Sequence, residues 1–141
     1  MAMRANGRAT KGLGEIALSV NDLEAMQRFY ADVVGLELMK RFDHAAFFRI
    51  GDGLGGHTQI LALFVRPTRP AGLPGTSTLD HLALEIPLSE HEPEKRRLEQ
   101  LGVRVEIQEH AWVHWRSLYI ADPEGNRVEF VCYDPAVGTE Q

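Results

Sequence analysis

Two stretches of this chain spell nearly the same strand. Residues 15–20 read EIALSV and residues 81–86 read HLALEI, a polar head followed by alternating large and small side chains, 66 positions apart. Later landmarks repeat at almost the same spacing. Val34-Gly35-Leu36-Glu37-Leu38 is answered by Leu101-Gly102-Val103-Arg104-Val105, and Leu61-Ala62-Leu63-Phe64-Val65 by Val128-Glu129-Phe130-Val131-Cys132, both at an offset of 67. Only two copies of such a unit fit in 141 residues, so this is a duplicated module rather than a solenoid. Two copies are expected to face each other across a shared site. Repeat-related polar residues are therefore the first place to look for chemistry.

Each copy reads in the same order. In the first, Glu15–Val20 alternates with period two, placing Ile16, Leu18 and Val20 on one face and Glu15, Ala17 and Ser19 on the other. Asn21 or Asp22 then caps a helix carrying Leu23, Met26, Phe29, Tyr30 and Val33 at helical spacing, which Gly35 closes. Strands are expected over Leu36–Arg41, Ala45–Ile50 and Thr58–Val65, with the glycine-rich Gly51–Gly56 as a flexible flap between the last two. In the second copy, a strand over Leu79–Ile86 leads to a charged helix over Ser89–Gln100, in which Pro93 is tolerable only near the start. Strands follow over Val103–Glu109, Val113–Ile120 and Arg127–Tyr133, the last two joined by the turn sequence Asp122-Pro123-Glu124-Gly125-Asn126. The expected organisation is a flexible tail over 1–12, a βαβββ module over 13–66, a Pro/Gly linker over 67–78, a second βαβββ module over 79–134 and a short tail over 135–141.

Composition narrows the function classes. The net charge is −5 and no lysine/arginine block occurs, which argues against nucleic acid as a partner. No apolar run approaches the roughly 18 residues of a membrane-spanning helix. The start of the chain lacks the apolar core of a secretion signal, and the lone Cys132 cannot pair internally. A soluble, cytoplasmic protein is expected.

The openings EIALSVNDLEAMQRFYADVVGLEL and LDHLALEIP, and the closing YIADPEGNRVEF, resemble the vicinal oxygen chelate superfamily. That group contains glyoxalase I, extradiol dioxygenases, fosfomycin-resistance proteins, methylmalonyl-CoA epimerase and bleomycin-resistance proteins. The resemblance covers residues 13–134. It implies an α+β fold of two tandem βαβββ modules, each a mostly antiparallel, cup-shaped sheet around a shared site, and it implies a homodimer. It also implies one divalent metal ion (Zn, Ni, Mn or Fe(II)), held by the first and last strands of each half, that acts as a Lewis acid on adjacent oxygens of a small organic substrate.

Mapped by strand position, the family's ligand places fall on Glu15, Ala62, His81 and Glu129. Ala62 has no donor, so the implied metal ligands are Glu15, His81 and Glu129. One imidazole and two carboxylates make a harder set than the two-histidine triad of oxygen-activating iron. His57 or Gln59 could replace the missing donor only if the strand over Thr58–Val65 were shifted or bulged, because both have the opposite parity to Ala62. The aromatic and polar run from His110 to Tyr119 supplies candidate catalytic groups in His114, Arg116 and Tyr119. Imidazole serves as a general acid or base, and guanidinium holds a carboxylate or phosphate. Strand parity places Tyr119 with Ser117 and Trp115 on one face, and His114 with Arg116 on the other. Two readings follow: a metal-dependent lyase, isomerase or ring-cleaving dioxygenase, and a metal-free ligand-binding protein of the bleomycin-resistance kind.

Overall fold

The computed structural model describes residues 9–66 and 79–138, so the Pro/Gly linker over 67–78 lies outside the described residues. The chain divides between Arg66 and Pro67 into two compact units.

In the first unit, β1 (Glu15–Val20) leads into α1 (Leu23–Arg28), which continues as one wide π-helical turn over Phe29–Val34. Asp22 starts the helix by accepting a hydrogen bond from the Ala25 backbone N–H at 3.1 Å. Gly35 ends it at φ 87°, a left-handed conformation that suits a residue without a Cβ. The strands β2 (Glu37–Phe42), β3 (Ala45–Asp52) and β4 (Thr58–Val65) complete an open sheet in the order β1-β4-β3-β2. The β1–β4 pairing is parallel and the other two are antiparallel. Leu18, Val20, Leu61, Leu63, Ala46 and Phe48 are buried together with Leu23, Met26, Phe29 and Tyr30 of the helical segment. Burial of one such large apolar side chain is worth about 1.5–3 kcal/mol. The widened turn shifts burial from the expected Val33 to Val34.

The second unit repeats this plan. It runs β5 (Leu82–Glu85), α2 (His91–Gln100), β6 (Glu106–His110), β7 (Trp115–Ala121) and β8 (Arg127–Tyr133), with sheet order β5-β8-β7-β6. Short 3-10 turns precede α2 at Leu88–Glu90 and precede β7 at Ala111–Val113. They explain why α2 and β7 each begin two residues later than the sequence pattern suggests. The core gathers Leu82, Leu84, Leu98, Leu118, Ile120, Val128 and Phe130. The duplication is therefore structural down to register. Ala17 pairs with Ala62 in the first sheet, and the repeat-related Ala83 pairs with Glu129 in the second.

The β7–β8 turn is fixed by one side chain. The Asp122 Oδ1 accepts from the backbone N–H groups of Glu124 and Asn126, both at 2.9 Å, and its Oδ2 accepts from Asn126 Nδ2 at 2.8 Å. Because this turn sets the register of β8 against β7, its loss is felt at the sheet. Asp122→Ala is expected to lower stability by about 2 kcal/mol, the loss of three hydrogen bonds to part-buried donors. Urea unfolding monitored by tryptophan fluorescence measures it.

Candidate functional site

The parallel pairing of β5 with β8 builds the polar centre of the second module. Register sets Ala83 beside Glu129, so His81, two residues earlier on the same face, reaches diagonally toward that carboxylate. His81 Nε2 lies 3.0 Å from Glu129 Oε1. Glu129 is 2% exposed, flanked by Val128 and Phe130 in an apolar strand. A carboxylate so placed must be bonded or ligating, since an isolated buried charge is too costly. Its second oxygen, Oε2, accepts the Ser117 hydroxyl at 2.6 Å from the neighbouring β7. On the outer side, His81 Nδ1 lies 2.7 Å from Asp80 Oδ2. The result is a chain of contacts running Asp80, His81, Glu129, Ser117.

Tyr119 sits directly opposite Glu129 in the β7–β8 register. Its hydroxyl lies 2.9 Å from His110 Nε2, and its ring meets the His81 imidazole edge-on with centroids 6.1 Å apart. Burial, reinforced by the Glu129 carboxylate, pushes the Tyr119 phenol above its usual value, so it stays a neutral donor. Arg127 lies over this ring, its guanidinium carbon 4.0 Å from the centroid.

The other two candidate catalytic residues stand elsewhere. His114, at φ 59°, turns its Nδ1 to the Val137 carbonyl at 3.0 Å. Arg116 has the parity of Leu118, away from Glu129, and its Nε donates to Asp134 Oδ2 at 3.1 Å. Both hold down the segment after β8. Nearby His91 is buried, and its Nε2 has no hydrogen-bond partner among the described residues. Burial, with the Arg116 charge, lowers its pKa and favours the neutral ring.

In the first module, Glu15 is exposed at the start of β1, in register with Ile60. Ala62 is fully buried, with Phe47 opposite it and Phe64 two residues along the same face. The two phenylalanine rings pack edge to face, 5.6 Å between centroids. Register thus equates Phe47 with Tyr119 and Ala45 with Ser117, as it equates Ala62 with Glu129. The first copy is an apolar version of the second. His57 and Gln59 do not share the face of Ala62. They line a recess of about 390 Å³ with residues 11–14 and 52–54. The irregularity in this sheet falls on β3, between Arg49 and Gly51, and β4 keeps its alternation.

Several partners here escaped the sequence reading. Ser117 was visible through its parity with Tyr119, but nothing local marks it as the partner of Glu129. Asp80 carries only its adjacency to His81 as a signal. Arg127 is legible only once its parity with Glu129 is weighed.

The donor pair can be tested against a divalent ion. Two cis ligands about 2.1 Å from an ion in octahedral geometry stand about 3.0 Å apart, the separation seen here between His81 Nε2 and Glu129 Oε1. Each of the two side chains is also steadied by a second partner, Asp80 for the imidazole and Ser117 for the carboxylate. The pair fits two coordination positions. Within each module, the described residues gather no group of three or more His, Cys, Asp or Glu side chains.

Comparison with known proteins identifies the family. A glutathione transferase of Serratia marcescens, FosA, is 29% identical over 119 residues, covering 84% of this chain and 79% of that protein. The lactoylglutathione lyase structure from Agrobacterium tumefaciens is 29% identical with a TM-score of 0.64, covering 89% of this chain and 96% of that one. An integron cassette protein, HFX_CASS4, from the mobile metagenome of the Halifax Harbour sewage outfall is 28% identical with a TM-score of 0.68, covering 87% and 99%. No helix among the described residues is long and apolar enough to cross a membrane. The family model for the Glyoxalase/Bleomycin resistance protein/Dioxygenase superfamily matches residues 12–130, and with two tandem βαβββ modules in the same arrangement this chain belongs to that superfamily.

Proposed function

We propose that this protein is a metal-dependent enzyme acting on a small oxygenated organic substrate, with His81 and Glu129 as metal ligands. The observation that carries this reading is the 3.0 Å approach of two donors that are each backed by a separate partner. Glu15, the sequence counterpart of His81, is the proposed third ligand. A divalent ion bound there would supply Lewis acidity to adjacent substrate oxygens. With one imidazole and two carboxylates, the donor set suits Mn, Ni or Zn proton-transfer chemistry of the glyoxalase or epimerase type better than iron-dependent ring cleavage.

The residues of the chain have definite parts in this scheme. Ser117 fixes the carboxylate of Glu129, so that Oε1 faces the ligand position rather than rotating away. Asp80 holds Nδ1 of His81, which leaves Nε2 as the coordinating nitrogen. Tyr119, neutral and tied to His110, can donate a hydrogen bond to a substrate oxygen or pass a proton to and from the His110 ring. His114 and Arg116 are structural here, since both are engaged with the segment at 134–137. Relatives named as a glutathione transferase and a lactoylglutathione lyase support a small-molecule substrate.

A second reading rests on Ala62, which offers no donor at a ligand place. On that reading the protein is a metal-free small-ligand binder of the bleomycin-resistance kind.

Metal analysis separates the two. Protein purified without chelator and reconstituted with Mn(II), Ni(II) or Zn(II) is expected to hold about one equivalent per chain, and His81→Ala is expected to lose it. Less than about a tenth of an equivalent after reconstitution selects the metal-free reading. Ser117→Ala keeps both ligands but frees the carboxylate, so competition against a chelator is expected to show affinity weakened by about 10–100-fold.

A further inference from the structure

Arg127 stands two residues before Glu129 on the same face of β8, roughly 7 Å along the strand. A recess of about 420 Å³ opens at this point, its walls including Arg104, Glu106, Tyr119 and Arg127. Two guanidinium groups and one carboxylate line it, so it is net positive in a chain of net charge −5. Glu106 divides its oxygens between the cations: Oε2 lies 3.5 Å from Arg127 Nη2 and Oε1 lies 3.9 Å from Arg104 Nη2. Both distances exceed a good hydrogen bond, so both forks keep donors to offer. Solvated ion pairs of this kind contribute little to stability, so stability gives little reason for the arrangement. What distinguishes Arg127 is its orientation. Stacked 4.0 Å over a buried Tyr119 ring, it cannot sweep freely as a surface arginine does.

We propose that Arg127, assisted by Arg104, is the anchor for an anionic group, a carboxylate or a phosphoryl group, on the substrate of the His81–Glu129 centre. Glu106 occupies the anchor in the free protein and gives way when the substrate anion arrives. This rests on the reading of His81 and Glu129 as the reacting centre, and it narrows the substrate to a short oxygenated anion. Arginine suits the task because its planar fork meets two anion oxygens at once.

The test uses metal-free protein at constant ionic strength, titrated with inorganic phosphate and separately with acetate, with the arginine Nε–H resonances followed by NMR. At least one probe is expected to shift the Arg127 resonance saturably, with an apparent Kd in the millimolar range typical of a single small anion. The probe that binds more tightly identifies the group as phosphoryl or carboxylate. Arg127→Gln is expected to weaken binding by about tenfold or more, and Arg104→Gln, at a side chain 90% exposed and so safe for folding, by a few-fold. Glu106→Gln is expected to tighten it by removing the competing carboxylate. The proposal is overturned if neither anion binds beyond a chloride control, or if the two arginine variants both leave the Kd within about twofold. Metal uptake measured on the same Arg127→Gln protein keeps the two readings apart. Uptake that stays normal while anion binding is absent in the parent protein refutes only the anchor. Anion binding through Arg127 in a protein that takes up no metal refutes the metal centre and, with it, the anchor's assignment to a metal-bound substrate.

Discussion

A carboxylate buried in an apolar strand is the constraint around which the second module is arranged. Glu129 lies between Val128 and Phe130, almost wholly shielded from water. A charge there is tolerable only if each oxygen finds a partner. Ser117 from β7 takes one, and His81, immediately before β5, takes the other. Those two partners come from the strands on either side of β8, so the sheet order β5-β8-β7 is what makes the burial possible. The parallel pairing on one side and the antiparallel pairing on the other aim both groups at the same carboxylate. The Asp122 turn guards that register by setting where β8 begins against β7.

The first module shows what the same scaffold does without that charge. Ala62 replaces Glu129, Phe47 replaces Tyr119 and Ala45 replaces Ser117, each at the equivalent place in register. No polar partner is needed where no charge is buried, and the face fills with packed phenylalanine rings instead. The duplication has therefore preserved geometry and divided chemistry between its copies. The second copy carries His81, Glu129, Ser117 and Arg127 close together; in the first, Glu15 keeps a polar side chain at the place repeat-related to His81.

Much of this was legible in the sequence because strand parity is a strict rule. Alternation grouped Tyr119 with Ser117 and set Arg116 on the other face, the β7–β8 register then decided which group shares a face with Glu129, and the bounds of β4 and β8 are those of the apolar runs. The signal was weaker where the backbone leaves regular geometry. The π-helical turn moved burial from Val33 to Val34, and the 3-10 turns before α2 and β7 delayed both elements, because propensity patterns do not encode such local rewinding. The site was half legible for a different reason. A ligand type can be read from a residue, but the partner that orients it, as Asp80 orients His81, depends on side-chain reach across strands. His114 and Arg116 looked catalytic by residue type, yet each has its partner in the segment that follows β8.

The central claim is a lopsided donor set, with one imidazole supplied by the second module and carboxylates making up the remaining protein ligands. X-ray absorption at the metal edge of the Zn- or Ni-loaded protein tests it most directly. The account predicts one imidazole among oxygen donors, lost in His81→Ala. Two or more imidazoles, drawing in His57 or His110, would contradict it.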